Sequence, residues 1–153
     1  MALEAALKTT LLRTADWLAG TRDPWWVLGS AAIALLGIDP HGIGDIDVLV
    51  SERDAKALIE RHSLTNQSDG GTDKFRSNVF ILPALGKYRV EIMAGYEIRL
   101  ANEWTPVWPQ TRRSVDLSGT SLWVPDAAEQ IEILRMLNRP KDLDRIERIA
   151  RAI

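Results

Sequence analysis

Residues 28–50 read LGSAAIALLGIDPHGIGDIDVLV. An apolar run stops at Gly29-Ser30, and a short apolar helix candidate follows. A Gly- and Pro-rich loop then delivers two aspartates, Asp45 and Asp47, into the strand-like DIDVLV. Successive strand side chains face opposite ways, so this spacing puts Asp45 and Asp47 on one face. Ile46, Val48 and Val50 fall on the other. The two aspartate Cα atoms would stand roughly 7 Å apart. Carboxylates that close repel each other, and a fold tolerates them cheaply only on a wet face or around a cation.

A second strand candidate, YRVEIMAG, repeats the alternation, with Arg89, Glu91 and Met93 on one face and Val90 and Ile92 on the other. If the two strands are neighbours in one sheet, Glu91 joins the aspartates. The chain has no cysteine and only two histidines, His41 and His62, which removes thiolate chemistry and leaves little for a zinc site. A metal bound by three acids would be a hard, oxygen-liganded ion such as Mg²⁺. Gly29-Ser30 adds a complementary feature. Glycine lets a ligand approach the backbone, and a following helix with Ser30 as its N-cap offers free N–H groups to a phosphate.

Working outward, residues 2–19 read as a helix with Leu3, Leu7, Leu11 and Leu18 on one face. Trp25–Leu28 reads as a short buried strand. The AAIALLG helix after it is apolar all round and so belongs in the core. SERDAKALIERH opens with a Ser cap and acidic first turn, and SLTNQSDGGTDK is a polar loop with a weak strand at its edge. KFRSNVFILPAL and GKYRVEIMAG read as two strands joined near Pro83–Gly86. YEIRLANEWTPVWPQTR has no clear period, and the prolines flanking Trp108 argue for a loop. RSVDLSGTSLWVP reads as a hairpin about Ser118-Gly119. A helix from about Asp126 to Leu137 and a closing amphipathic helix follow, the latter with Leu143, Ile146, Ile149 and Ile153 inward.

These elements predict one domain over residues 1–153 of α+β (α/β) class: a small mixed sheet backed by helices, with a C-terminal helical pair. At 153 residues, 46% of them hydrophobic, the chain is large enough to bury a core without disulfides. A net charge of −2 gives no general nucleic-acid footprint, and no apolar run is long enough to span a bilayer. The N-terminus MALEAALKTTLLR lacks a signal-peptide core, so a cytoplasmic protein with no membrane partner is the expectation.

At VLGSAAIALLG, DIDV and VEIMAG the chain resembles the DNA polymerase β-like nucleotidyltransferase superfamily. The pattern there is an apolar strand ending in Gly-Ser, a helix, an Asp-x-Asp pair and a third acid on a later strand. The resemblance covers roughly residues 25–94. NRPKDLDRIERI in addition resembles the Arg-x-Lys-Asp-x-x-Asp helix of small stand-alone members, including abortive-infection and antibiotic nucleotidyltransferases. His41 and Ile43 stand where many members carry Arg and Thr, and Glu91 is longer than the usual third Asp.

The resemblance implies Mg²⁺-dependent transfer of a nucleoside monophosphate from a nucleoside triphosphate, ATP among the candidates, to an acceptor hydroxyl on a small molecule, protein or RNA. Asp45, Asp47 and Glu91 would hold the metal and carry catalysis, and Gly29, Ser30 and Lys141 would bind the triphosphate. For Lys141 and Asp142 the alternative is a solvated helix start. Trp104 and Trp108 could stack on a base or simply pack. His41, Arg76 and Arg89 could face phosphate or solvent. The rival function is a catalytically weak binding module of the same fold, such as a toxin–antitoxin component, with a protein partner or a second copy of itself. A plain structural domain would leave the three acids apart.

Overall fold

The computed structural model describes residues 3–153. Its elements run α1 (Ala5–Trp17), β1 (Trp26–Leu28), α2 (Gly29–Leu35), β2 (Ile46–Leu49), α3 (Glu52–His62), β3 (Phe75–Arg76), β4 (Val79–Ile81) and β5 (Val90–Ala94). They continue with β6 (Glu97–Leu100), β7 (Glu103–Pro106), β8 (Arg113–Leu117), β9 (Thr120–Val124), α4 (Ala127–Leu137) and α5 (Pro140–Ala152). The mixed α and β architecture, with a small mixed sheet and a final helical pair, is the one expected. The first helix is shorter than the 2–19 read from leucine spacing, and residue 2 lies outside the described residues.

The central sheet has the order β1-β2-β5-β4, with β2 parallel to β5 and the outer pairs antiparallel. Register decides the rest: Leu28 stands beside Asp47, and Asp47 beside Glu91. On one face Val27, Ile46, Val48, Val90 and Ile92 pack under α1, α2 and α3 through Leu7, Leu11, Ala31 and Leu58. The opposite face carries Trp26, Leu28, Leu49 and Met93, packed with Tyr96 and Ile98 and with Ile133 and Leu137 of α4. Asp47 and Glu91 fall on this second face. A carboxylate on this largely apolar face is a cost that the fold bears for some other reason.

Capping explains α3. Ser51 accepts from Asp54 N–H at 3.1 Å, and Asp54 accepts in turn from the backbone N–H groups of Arg22 and Asp23. The helix is thereby pinned to the turn that leads into β1.

Several expectations fail for identifiable reasons. Helix α2 starts at Gly29 with Leu28 as its N-cap, so Ser30 lies inside the first turn and caps nothing. KFRSNVFILPAL divides into β3 and β4, which belong to different sheets. The segment without a clear period forms the β6–β7 hairpin, paired from Glu97–Pro106 to Leu100–Glu103, and the loop expected around Trp108 begins only after Pro106. The hairpin turn is Ala101-Asn102, both with positive φ (47° and 67°). That is a two-residue turn of the I′ kind without the usual glycine. At the other hairpin, Ser118 and Gly119 take the same conformation, as the sequence suggested.

Leu143 is 51% exposed and Ile153 71% exposed, so neither faces inward. Around α5, Asp142 and Ile149 lie about 20° apart and Leu143 about 100° from Asp142. The buried stripe therefore runs through Asp142 and Ile149, while Ile153 lies past the helix end. Ile149 packs with Ile33 of α2 and with Ile131 and Leu134 of α4, which docks the helical pair beside the acidic face of the sheet.

Candidate active site

A cavity of about 360 Å³ opens between that sheet face and α5. Gly29, Ser30, Asp45, Asp47, Glu91 and Lys141, the residues singled out from sequence, all line it. So do Arg139, which opens the Arg-x-Lys-Asp-x-x-Asp pattern, and Arg145, Tyr96 and Gln130, which sequence reasoning passed over. Arg145 carried a usable signal, because it lies four residues beyond Lys141 on one helix and so shares its face. Tyr96 carried none, since Gly95, with φ +63°, breaks the strand alternation just before it.

Asp47 is the centre of the acidic wall. Burial lifts its carboxyl from an ordinary value of 3.8 to about 7, and the neighbouring Glu91 and Asp45 carboxylates push the same way. Arg139 and Lys141 across the cavity oppose the rise. Gly29 packs directly against this carboxylate: its φ is +67°, and a Cβ there would stand 3.0 Å from Asp47 Oδ2. Glycine at 29 thus meets two demands, a left-handed backbone and room for Asp47.

Asp45 does not share the strand with Asp47 as the spacing implied. Strand β2 begins at Ile46, and Asp45 is the exposed last residue of the loop leading into it. Glu91 sits on β5 beside Asp47, but its Oε2 accepts from Arg89 Nε at 2.8 Å. Among the described residues no three Asp, Glu or His side chains stand close enough to enclose a metal ion. The donor chemistry nevertheless fits a hard divalent cation. These are oxygen ligands only, and the mutual repulsion acting on Asp47 is what a cation relieves. Glu91 would have to leave Arg89 to join such a site.

The opposite wall is cationic. Asp142 is fully buried and holds Arg139 through three contacts: the backbone N–H at 3.0 Å, Nε at 2.6 Å and Nη2 at 3.1 Å. This bidentate pair fixes the guanidinium at the cavity wall. Asp142 is therefore not a solvated helix start but the residue that orients Arg139. Lys141 is exposed at the rim. Arg145 reaches back to the α2–β2 loop, donating to the carbonyls of Pro40 at 3.4 Å and Gly42 at 3.5 Å.

The remaining candidates lie elsewhere. His41, exposed in the same loop, faces Asp144 of α5 at 3.3 Å. Trp104 lies beneath Arg76, whose guanidinium is 4.2 Å from the ring centre and also pairs with Glu97. Trp108 is 44% exposed and meets buried Trp26 edge-on at 4.8 Å. Neither tryptophan lines the cavity.

Three solved structures share this arrangement of elements. TM1012 of Thermotoga maritima, provisionally assigned as a nucleotidyltransferase, superposes with a TM-score of 0.69 at 23% identity, over 93% of this chain and 91% of its own. An antigenic nucleotidyltransferase-like protein of Paracoccidioides brasiliensis gives 0.59 at 16% identity, covering 96% of this chain and 76% of its own. The antibiotic-resistance factor ANT(2″)-Ia gives 0.58 at 13% identity, covering 98% and 85%. That last protein has also been solved with adenylyl-2″-tobramycin. No family model and no curated protein matches the sequence. The chain has the fold of a small nucleotidyltransferase.

Proposed function

We propose that this protein transfers a nucleoside monophosphate from a nucleoside triphosphate to an acceptor hydroxyl. The observation that carries this reading is a single cavity with carboxylates from two adjacent parallel strands on one wall. Cations from α5 form the other wall. Such a division suits a ligand that brings its own negative charge and a divalent cation together. Arg139, Lys141 and Arg145 would take the β- and γ-phosphates, with Ser30 and the backbone at Gly29 beside them. Asp45 and Asp47 would hold the cation, with Glu91 as a third ligand. A bound Mg²⁺ supplies charge neutralisation and alignment of the triphosphate.

In the transfer, the acceptor oxygen forms a bond to the α-phosphorus. The bond from that phosphorus to the α,β-bridging oxygen breaks, and pyrophosphate leaves with the electron pair. The acceptor proton passes to a carboxylate of the acidic wall, a role that falls to Glu91 on β5. Tyr96 is not a base at neutral pH, because burial first and Asp47 second hold its phenol well above its ordinary range.

The Arg89–Glu91 pair favours one second reading, a binding module in which the third acid is held away from the metal. Calorimetry with Mg²⁺ and each nucleoside triphosphate, beside an assay for pyrophosphate release, separates the two. Binding with release supports the transferase, and binding without release over a broad acceptor panel supports the module. Absence of nucleotide binding would refute the transferase, and a protein partner that then co-purifies would favour the module.

A further inference from the structure

A second cavity, of about 220 Å³, adjoins the first, and the two share Phe75, Glu91, Met93 and Tyr96 as a common wall. Resting on the transferase reading above, we propose that this second cavity is the acceptor subsite. Its ligand would be a small hydroxylated ring compound, neutral or amine-bearing and not anionic.

Position is the first ground. A compound seated here lies across Glu91 and Tyr96 from the cavity assigned to the triphosphate, so a hydroxyl at its edge would be presented to that cavity past Glu91. The proton lost on attack then has a carboxylate at the junction to receive it.

The second ground is construction. The cavity is roofed by the polar 66–72 segment, which is tied down rather than draped. Gln67 N–H donates to Phe80 O at 2.7 Å, and Ser68 Oγ donates to Ser77 O at 2.6 Å. Asn66 brackets β4, its amide donating to Asn78 O at 3.1 Å and its Oδ1 accepting from Phe80 N–H at 3.0 Å. Gly71, at φ +77°, lies so close to the Phe75 carbonyl and Arg76 Cα that a Cβ would overlap both. A segment held in this way gives the cavity a fixed shape, as a small-molecule site requires.

Chemistry is the third. Phe75, Phe80 and Tyr96 line the cavity with aromatic surface, while Gln67, Ser68 and Thr72 of the roofing segment add polar groups to its lining. Aromatic faces take the C–H face of a saturated ring, and the polar lining groups suit its hydroxyls. The charges exclude an anion. Arg76 is already paired with Glu97 and stacked on Trp104, and Glu91 is paired with Arg89. Asp69 is the lining charge with no ion-pair partner among the described residues. A phosphorylated sugar or an RNA strand would meet this carboxylate with no free cation to offset it, whereas an amine would gain from it.

The test uses the full chain with Mg²⁺ and a non-hydrolysable ATP analogue. It titrates three rings of similar size: myo-inositol, glucosamine and glucose 6-phosphate. The proposal expects myo-inositol or glucosamine to bind at least tenfold more tightly than glucose 6-phosphate. Phe80→Ala should weaken ring binding tenfold or more while changing affinity for the ATP analogue less than twofold. Gln67→Ala, on the exposed segment and away from the core, should weaken ring binding severalfold and covers the case in which Phe80→Ala fails to fold. Failure of all three rings to bind, equal binding of the phosphorylated ring, displacement of the rings by an oligo(A) RNA, or variants that leave ring affinity intact would each overturn the subsite. Nucleotide binding is read separately. Ring binding lost on Gln67→Ala in a protein that ignores the ATP analogue would sustain the ligand site while refuting the transferase reading.

Discussion

Replacing Asp47 with Asn removes one charge from the acidic wall and barely changes shape. A carboxyl lifted from 3.8 to about 7 is disfavoured in its ionised form by about 4 kcal/mol, at about 1.36 kcal/mol per pKa unit. Water entering the open cavity and adjustment of Arg139 and Lys141 reduce that figure, and a gain of about 2 kcal/mol at pH 8 is the working expectation for Asp47→Asn. The sign follows from proton counting. Between about pH 4 and pH 7 the folded protein keeps the Asp47 proton while the unfolded chain has released it. The contribution of this group is therefore fully favourable below pH 4, falls as pH rises to about 7, and is flat above. Urea unfolding of wild type and variant at pH 4.5, 6, 7 and 8 measures the difference, and the other titrating groups cancel in the comparison. The variant should match the wild type near pH 4.5 and exceed it by about 2 kcal/mol at pH 8. Adding Mg²⁺ with nucleotide at pH 8 should then stabilise the wild type and leave the variant nearly unchanged. A variant less stable than wild type at pH 8, or a difference independent of pH, refutes both the burial and the repulsion assigned to Asp47.

Gly29→Ala should lose about 1–2 kcal/mol, because an L-residue is strained at positive φ and its Cβ would press on Asp47; melting temperature checks this, and an unchanged value refutes it. Nucleotide affinity should fall as well, so stability and binding will not separate at this position. Arg139→Ala should cost about 3 kcal/mol by leaving buried Asp142 unpaired, with Asp142→Asn milder; urea unfolding giving under 1 kcal/mol for Arg139→Ala would show that Asp142 is hydrated. Lys141→Ala should change stability by less than about 0.5 kcal/mol while raising the nucleotide Kd, and calorimetry at two salt concentrations should find the larger effect at the lower.

The order of elements around the acids was legible because short-range rules set it. The apolar run before Gly29, the Asp-x-Asp spacing and the Ser118-Gly119 turn each carry a local signature. What escaped depended on pairings that leave no mark in composition or periodicity. Ala101-Asn102 adopts a turn usually marked by glycine, and only the pairing of Glu97–Leu100 with Glu103–Pro106 holds it there. Asp142 reads as a charge on a polar helix face, yet it occupies the buried stripe because Arg139 satisfies it. Leu143, the more apolar neighbour, is turned out by the same choice. Periodicity cannot register an exchange in which a paired acid displaces a leucine.

That exchange bears on how the two walls of the cavity keep their distance. The acids ride on β2, β5 and the loop before β2, while the cations ride on α5. The helix is docked by Ile149 against α2 and α4, and strapped to the 39–42 loop through Arg145, Arg148 and the Asp144–His41 contact. Each strap is a partly exposed contact worth little alone, but together they join the cationic wall to the loop that ends in Asp45. The docked helix also holds Arg139 and Lys141 where their charges oppose the rise in the Asp47 pKa. A ligand carrying several negative charges and a divalent cation would satisfy both walls at once. No single charge of either sign can do so, and that asymmetry argues for a metal-bound polyphosphate over any simpler anion as the natural occupant.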